Sequence, residues 1–203
     1  VSAFEGLVSG SRIEQRTRVL TGEAHAKLQE YKQAAIAYQA ATKLKGGDAG
    51  DALFRLGLVR LDHLKEFEKA AKDFNAFTNK YANDPKKANA TFNEALCYYR
   101  SYYSGKEDQL PKAIQTFETF YKTNRKHELA EAAQFYVGQL QHIRKEWKAA
   151  VKAFEPLMGS KNPTLDQLVF LLGDSYHQMK DWEKSAKYYM RFAKGNEKAI
   201  NAD

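Results

Sequence analysis

Residues 172–189 read LGDSYHQMKDWEKSAKYY, and this stretch decides the fold. Its apolar residues recur every three or four positions, which is the period of an amphipathic helix. Gly173 and Tyr176 fall on one face of a first helix, a tight turn follows near residues 180–181, and Tyr189 lies on the inner face of a second helix. Because neither helix can bury its apolar face alone, the stretch predicts a helical hairpin that stacks against similar neighbours.

The same pattern occurs five times along the 203 residues. Each copy has a small residue and, about twelve positions later, an alanine or serine. An aromatic residue follows four positions after that, and an apolar residue follows three positions after the aromatic one. The five sets are Gly22/Ala34/Tyr38/Ala41, Gly57/Ala70/Phe74/Phe77, Ala95/Ala113/Phe117/Phe120, Gly138/Ala150/Phe154/Leu157 and Gly173/Ser185/Tyr189/Phe192. A fixed internal period indicates a repeat architecture. In the third set some six extra residues precede Ala113, which predicts a longer first helix and a longer turn.

Composition agrees with one repeat array that has its own core. With 43% hydrophobic and 28% charged residues, the chain can bury a sizeable core and is not typical of disordered or membrane proteins. No apolar run approaches the roughly 18–20 residues of a membrane-spanning helix, so we expect no transmembrane segment. The net charge of +7 comes from lysines interspersed with acidic residues, as in residues 65–73, and this mixing argues against a nucleic-acid partner.

Residues that could carry chemistry do not form a recognisable set. Residues 127–131 read HELAE, so glutamate stands where a zinc-protease helix has its second histidine. The sequence also has no phosphate-binding loop and no nucleophile motif. We therefore expect no enzyme activity, no catalytic residues, no cofactor and no metal site. His142 and His177 occupy equivalent positions in adjacent repeats and could face one another as a metal pair or a pH-sensitive contact, but no third ligand is evident. Cys97 is the single cysteine, and we expect a buried, inert thiol.

The five sets resemble the tetratricopeptide repeat family, whose unit is about 34 residues long. The last two units match the family's spacing best, through Val137-Gly138, Trp147, Ala150 and Phe154 and through Leu172-Gly173, Tyr176, Trp182 and Ser185. This resemblance implies an all-α fold, a right-handed α-solenoid of five helical hairpins. It also implies a single domain over residues 1–203, with repeats at about 15–46, 50–83, 88–124, 131–161 and 166–195.

A narrower likeness concerns the connections after Phe77 and Phe120. The phrase F-x₂-F-x₃-Y, followed by a polar stretch and an alanine-rich helix start, resembles tetratricopeptide proteins of the bacterial cell envelope. Those include the Tol-Pal-associated coordinators and the lipoprotein subunit of the β-barrel assembly machine. The likeness favours a bacterial periplasmic or cell-envelope location over the cytoplasm.

Partner-binding residues are implied by the same resemblance, because first helices line the concave surface in this family. Three residues before each small residue stand Val19, Phe54, Phe92, Phe135 and Phe170. One residue after it stand Leu58, Leu96, Gln139 and Asp174. Four residues after it stand Leu61, Tyr99, His142 and His177, and Arg100 follows Tyr99. These rows predict an apolar, aromatic-lined groove for a peptide or helix of another protein. The alternative is that the phenylalanine row only packs between adjacent hairpins. Lys and Asn, which the family's carboxylate clamp requires, are absent from the equivalent positions of the first repeats.

A structural role is the second hypothesis. The chain begins without methionine, which predicts a processed form or an excised domain, and after Phe192 it reads like a helix end followed by the start of another helix. Val1 to Gly10 reads as the remnant of an earlier segment or as a cap. Such ends predict either self-association through the ends of the array or continuation into a larger cell-envelope protein, with no dedicated peptide ligand.

Overall fold

A computed structural model describes residues 12–44, 46–159 and 165–200, with backbone alone for residues 165–166 and 195–200. The expectation for Val1 to Gly10 lies outside these described residues. Within them the structure is helical, with no strand. The helices are α1 (Arg12–Lys27), α2 (Tyr31–Thr42), α3 (Ala49–Asp62), α4 (Phe67–Lys80), α5 (Lys87–Tyr103), α6 (Leu110–Thr123), α7 (Ala130–Ile143), α8 (Trp147–Phe154), α9 (Leu165–Gln178) and α10 (Trp182–Ile200), with 3₁₀ helices at Glu107–Gln109 and Glu155–Gly159. The predicted all-α fold is therefore confirmed.

The chain divides into two compact units, Val1–Ala113 and Ile114–Asp203. The first unit contains the hairpins α1/α2 and α3/α4 together with α5, and the second contains most of α6 and the hairpins α7/α8 and α9/α10. In the first unit the helices of each hairpin pack against each other and α4 packs against α5. In the second unit α9 packs against both α8 and α10. Successive helices are thus stacked neighbours, as a repeat architecture requires.

Every first helix ends in the same left-handed turn. The backbone φ angle is positive at Gln29 (63°), Lys65 (55°), Gly105 (98°), Lys145 (62°) and Lys180 (60°). In each case the next N–H donates to a carbonyl of the preceding helical turn at 2.8 to 3.1 Å. That carbonyl is five residues back in four turns and six residues back at Glu66, and the bond closes the helix in the manner of a Schellman motif. The turn predicted near residues 180–181 is confirmed.

Two predictions about helix length have different outcomes. The third repeat has the longer first helix that was predicted, since α5 is 17 residues long whereas α3 is 14, and the 3₁₀ helix Glu107–Gln109 occupies its longer turn. The predicted helix end after Phe192 is wrong, because α10 continues without interruption to Ile200. A single Gly195 costs only about 1 kcal/mol in a helix and no proline follows it, so nothing stops the helix there.

The small residue of each hairpin lets an aromatic ring reach the first helix. A Cβ atom built on Gly22 would lie 2.6 Å from the ring of Tyr38, and one built on Gly57 would lie 2.8 Å from the ring of Phe74. Real Cβ atoms essentially never approach other atoms this closely. Tyr38 and Phe74 are at most 2% exposed, so these contacts form the centre of each hairpin core.

Substituting the small residue tests this packing. We expect Gly57→Ala to lower the free energy of unfolding by about 1–3 kcal/mol, because the added methyl group would overpack against Phe74. Urea denaturation measures the change. Gly47→Ala is the control, since no atom lies within 4 Å of its added Cβ, and we expect a change within about 0.5 kcal/mol. Equal unfolding midpoints for the two variants would contradict the packing role of Gly57.

Candidate functional site

The predicted groove residues differ widely in exposure. Four are buried: Val19, Leu61, Phe92 and Phe135. Eight are half-buried: Phe54, Leu58, Leu96, Tyr99, Arg100, Gln139, His142 and Asp174. Two are exposed: Phe170 and His177. The buried four cannot offer side-chain surface to a partner without rearrangement of the core.

The phenylalanine row packs against the second helices. Phe54 lies 5.5 Å from Phe77 between ring centroids, and Phe135 lies 5.9 Å from Phe154. Phe170 makes the same kind of contact with the rings of α10 but remains 45% exposed. Since burial of these rings stabilises each hairpin, packing accounts for the apolar character of the row without requiring a ligand.

The first unit carries an apolar and aromatic surface on α3 and α5. We call it the α3–α5 surface and define it by Phe54, Leu58, Leu96, Tyr99 and Tyr103. Its two leucines lie over the core cluster that contains Phe77. The rings of Tyr99 and Tyr103 are 4.8 Å apart, and Tyr103 is 55% exposed. Tyr103 was not among the predicted residues, although it follows Tyr99 by four positions on the same helical face.

The charged side chains at one edge of this surface are paired with one another. Asp51 accepts hydrogen bonds from Arg55 and from Lys86, each at 2.5 Å, and Glu23 lies 3.2 Å from Arg55. Burial alone would raise the pKa of Asp51, but the hydrogen bonds from Lys86 and Arg55 outweigh it and hold that pKa below its usual range. The Lys86 ammonium also lies 5.7 Å from the centre of the Phe54 ring. The charged groups here are thus engaged with one another.

Arg100 lies at the other edge of the α3–α5 surface. Its guanidinium donates to the Asp62 carboxylate at 2.9 Å and to the Leu61 carbonyl at 3.2 Å, which joins α5 to α3. Both charged side chains remain more than 40% exposed, so a ligand can still exchange with this pair. Exposed ion pairs contribute only about 0–1 kcal/mol, and their rearrangement is therefore inexpensive.

In the second unit, His142 joins two adjacent repeats. Its Nε2 atom lies 3.1 Å from the Asp174 carboxylate, and its Nδ1 atom lies 3.0 Å from the Ser175 hydroxyl. The hypothesis that His142 faces His177 is wrong: His177 instead contacts the rings of Trp182 and Tyr189. No group of three metal-binding side chains occurs among the described residues.

Two family profiles described as tetratricopeptide repeat match residues 19–85 and 167–194, which lie in the first two hairpins and the last one. These two stretches are tetratricopeptide repeats. The comparison with curated proteins found no match to the sequence.

Solved structures share the fold of this chain. It is similar to MamA, with a TM-score of 0.73, 17% identity and coverage of 93% of this chain and 94% of that one. It is also similar to a tetratricopeptide repeat protein from Parabacteroides merdae, with a TM-score of 0.70, 12% identity and coverage of 90% and 66%. The apo form of RapI gives a TM-score of 0.71, 16% identity and coverage of 94% and 55%. At these identities the likeness shows the fold alone.

The fold indicates a scaffold for protein–protein interaction, and proteins of this family typically have no enzymatic activity. Over the described ranges, no helix has both the length and the apolar character needed to cross a membrane. Function in such a protein depends on the side chains presented by its repeats.

Helix α5 also buries two groups, one that the sequence did not reveal and one that it did. Glu94 is 7% exposed and accepts hydrogen bonds from Asn75 of α4 at 3.0 Å and from Tyr98 at 3.1 Å, which ties α4 to α5. Burial raises the pKa of the Glu94 carboxyl. Cys97 is fully buried, as predicted, and burial raises the pKa of its thiol. Both groups are structural, since neither is open to a substrate.

The pH dependence of stability tests the His142 contact. Burial lowers the pKa of His142, while the nearby Asp174 charge opposes that shift. Because the folded-state pKa lies below the unfolded value, protonation favours unfolding, and stability falls as the pH drops from about 7 to about 5. Urea denaturation across this pH range should show that the free energy of unfolding falls less steeply for His142→Gln than for the natural chain.

A variant of Asp174, which contacts His142, is the matched comparison. Asp174→Asn removes the opposing charge, so we expect a steeper loss of stability with falling pH in that variant. Identical pH slopes for the natural chain, His142→Gln and Asp174→Asn would show that His142 does not titrate with folding.

Proposed function

We propose that this protein is an adaptor that binds an apolar segment of another protein on the α3–α5 surface. The observation that carries the proposal is the tyrosine pair of that surface, in which Tyr103 is 55% exposed and lies 4.8 Å from the half-buried Tyr99. Tyrosine supplies a large, rigid contact area at low entropic cost and is enriched among residues that dominate binding energy. The ligand would be a peptide or an amphipathic helix with an apolar side chain directed at Leu58 and Leu96.

The charged edges of the surface support this chemistry. Asp51, Arg55 and Lys86 are paired with one another, and Arg100 is paired with Asp62. An ionic ligand would therefore have to displace existing partners, whereas an apolar ligand would gain from the area it buries. Polar groups of the ligand could still exchange with the exposed Arg100–Asp62 pair. This arrangement fits an apolar anchor surrounded by a polar rim.

Burial reduces the number of predicted groove residues that could contact a partner. Val19, Leu61, Phe92 and Phe135 are buried and are assigned to packing in this proposal. In the second unit, Gln139, His142, Phe170, Asp174 and His177 remain proposed contacts for a partner, with Phe170 and His177 the most accessible of them.

Peptide selection tests the proposed surface. A phage-displayed library of random peptides is selected on the immobilised chain, and enriched peptides are synthesised for calorimetry. We expect Leu58→Ser and Tyr103→Ser each to weaken binding about tenfold. Truncation of a central apolar contact typically costs about 1–2 kcal/mol of binding free energy. Ile36→Ser is the control, since Ile36 is a 65% exposed apolar side chain on α2.

Helicity is checked by circular dichroism in every variant. Peptides with apolar anchors that lose affinity for the Leu58 and Tyr103 variants, but not for the Ile36 variant, would support the proposal. Binding that is the same for all three folded variants would overturn it.

Self-association is the second candidate function, and exposure at α1 favours it. Ala24 of α1 is exposed, whereas the equivalent residue of every later repeat is buried: Val59, Cys97, Leu140 and Ser175. Leu20 of α1 is 47% exposed as well. In α10, Trp182 is 58% exposed although its equivalent Trp147 is half-buried against His142. Positions that are buried or half-buried in other repeats are therefore accessible here, and a second copy could cover them.

Light scattering against protein concentration tests the second candidate. We expect the mean mass to rise with concentration and Leu20→Ser or Trp182→Ser to reduce that rise, because each removes apolar surface from the proposed contact. Tyr103→Ser should leave the rise unchanged. A mass that stays that of one chain at all concentrations would exclude self-association.

A further inference from the structure

An open cavity of about 340 Å³ lies in the second unit, between α6, α7 and α8. Its lining includes Glu118, Lys122, Val137, Gln141, Lys152 and Ala153. This volume is within the range of small-ligand pockets, which is about 300–1,000 Å³. Its lining shares no residue with the α3–α5 surface, so an inference about it goes beyond the proposed function.

One polar atom in the cavity lining has no partner. Gln141 is only 8% exposed, and its Oε1 atom is buried without a hydrogen bond. The neighbouring Gln134 differs, because its Nε2 atom donates to the Ala153 carbonyl at 2.9 Å. Since buried acceptors in folded proteins are nearly always hydrogen-bonded, an unpartnered Gln141 oxygen indicates that a donor is missing.

Two other repeats show what can occupy this position. Gln141 follows the small residue of its repeat by three positions, and the equivalent residues are His25, Arg60, Tyr98 and Tyr176. His25 and Tyr98 bond to Glu30 and Glu94 of their own repeats, whereas Arg60 and Tyr176 bond to the preceding repeat. Arg60 donates to the Asp73 carboxylate at 2.9 and 2.7 Å and to Gln39 of the preceding repeat at 3.4 Å.

Tyr176 gives the same arrangement with a phenol. Its hydroxyl donates to the Glu155 carboxylate of the preceding repeat at 2.5 Å, and its ring stacks on that of Tyr188. The Lys184 ammonium lies 4.9 Å from the centre of the Tyr176 ring. In both repeats a planar group that donates hydrogen bonds fills the space between two second helices.

The fourth repeat keeps the acceptor but lacks the planar group. Glu118 occupies the position equivalent to Glu155, while Ala153 replaces Asp73 and the shorter Gln141 replaces the arginine or tyrosine. Lys122 donates to Glu118 at 3.2 Å, but both side chains are exposed by more than a third and can rearrange. The cavity is therefore the space that a planar donor side chain fills elsewhere in this chain.

We propose that this cavity binds the phenol of a tyrosine side chain from a partner protein. The ring would lie beside Val137 and Ala153, and the hydroxyl would donate to Gln141 Oε1 or to the Glu118 carboxylate. Lys122 and Lys152 favour a phenol over a guanidinium, because an ammonium group attracts an aromatic face and repels another cation. The Lys184–Tyr176 contact is the example within this chain.

Nuclear magnetic resonance titration of the whole chain tests the site, with N-acetyltyrosinamide as the probe. We expect shifts of the Gln141 side-chain amide and of the Ala149 and Ala153 backbone amides. N-acetylphenylalaninamide, which lacks the hydroxyl, should bind about fivefold more weakly, since a hydrogen bond contributes roughly that factor. Equal affinity for the two probes, absence of the shifts, or a preference for N-acetylargininamide would overturn the proposal.

Two variants locate the binding. Gln141→Tyr recreates the arrangement of the fifth repeat, so it should fill the cavity, raise the melting temperature and abolish the shifts. Ala153→Met narrows the cavity from α8 and should also abolish them, which keeps the test decisive if the first variant does not fold. Gln33→Tyr on the exposed face of α2 is the matched control and should bind the probe as the natural chain does. Binding that survives both cavity variants would refute the site.

Discussion

The contact between a small residue of each first helix and an aromatic ring of the second helix sets the geometry on which the rest of the structure depends. The ring of Phe74 lies 2.8 Å from where the Cβ of a larger residue at position 57 would be, and the ring of Tyr38 lies 2.6 Å from the same point at Gly22. This approach brings the two helices of a hairpin close enough to enclose a core. Once the hairpin is closed, its outer faces can only be buried by a neighbouring repeat, and stability becomes a sum of hairpin and interface contributions.

The interfaces between repeats are where the repeats differ. Three positions after the small residue, Arg60 and Tyr176 donate to an acceptor of the preceding repeat, whereas the Oε1 atom of Gln141 is buried without a hydrogen bond. Elsewhere Glu94 joins α4 to α5 and His142 joins α7 to α9. The repeats thus share one hairpin core but use different polar contacts between hairpins. Such differences, rather than the shared core, can distinguish the surfaces that partners meet.

The fold and part of the candidate site could be predicted from sequence. Helical spacing and the glycine–aromatic pairs predicted the hairpins, and the inserted residues before Ala113 predicted the long α5. Exposure was less predictable: Phe92 and Phe135 are 6% exposed, while Tyr103, outside the predicted rows, is 55% exposed. A side chain's position on a helical face shows its direction, but its exposure depends on every element that packs over that face. Pairing was equally non-local, since His142 contacts Asp174 and Ser175, 32 and 33 residues later along the chain.

The sequence by itself determined the helical hairpin and its repetition, because period and residue size act locally and are visible in the order of residues. It also indicated the turn near residues 180–181, where Lys180 has a φ angle of 60°. Only the tertiary structure decided which apolar residues remain accessible, which charges are paired and where a buried oxygen lacks a donor. These properties depend on distances between residues far apart in sequence, and a change from arginine or tyrosine to Gln141 alters them without disturbing the repeat.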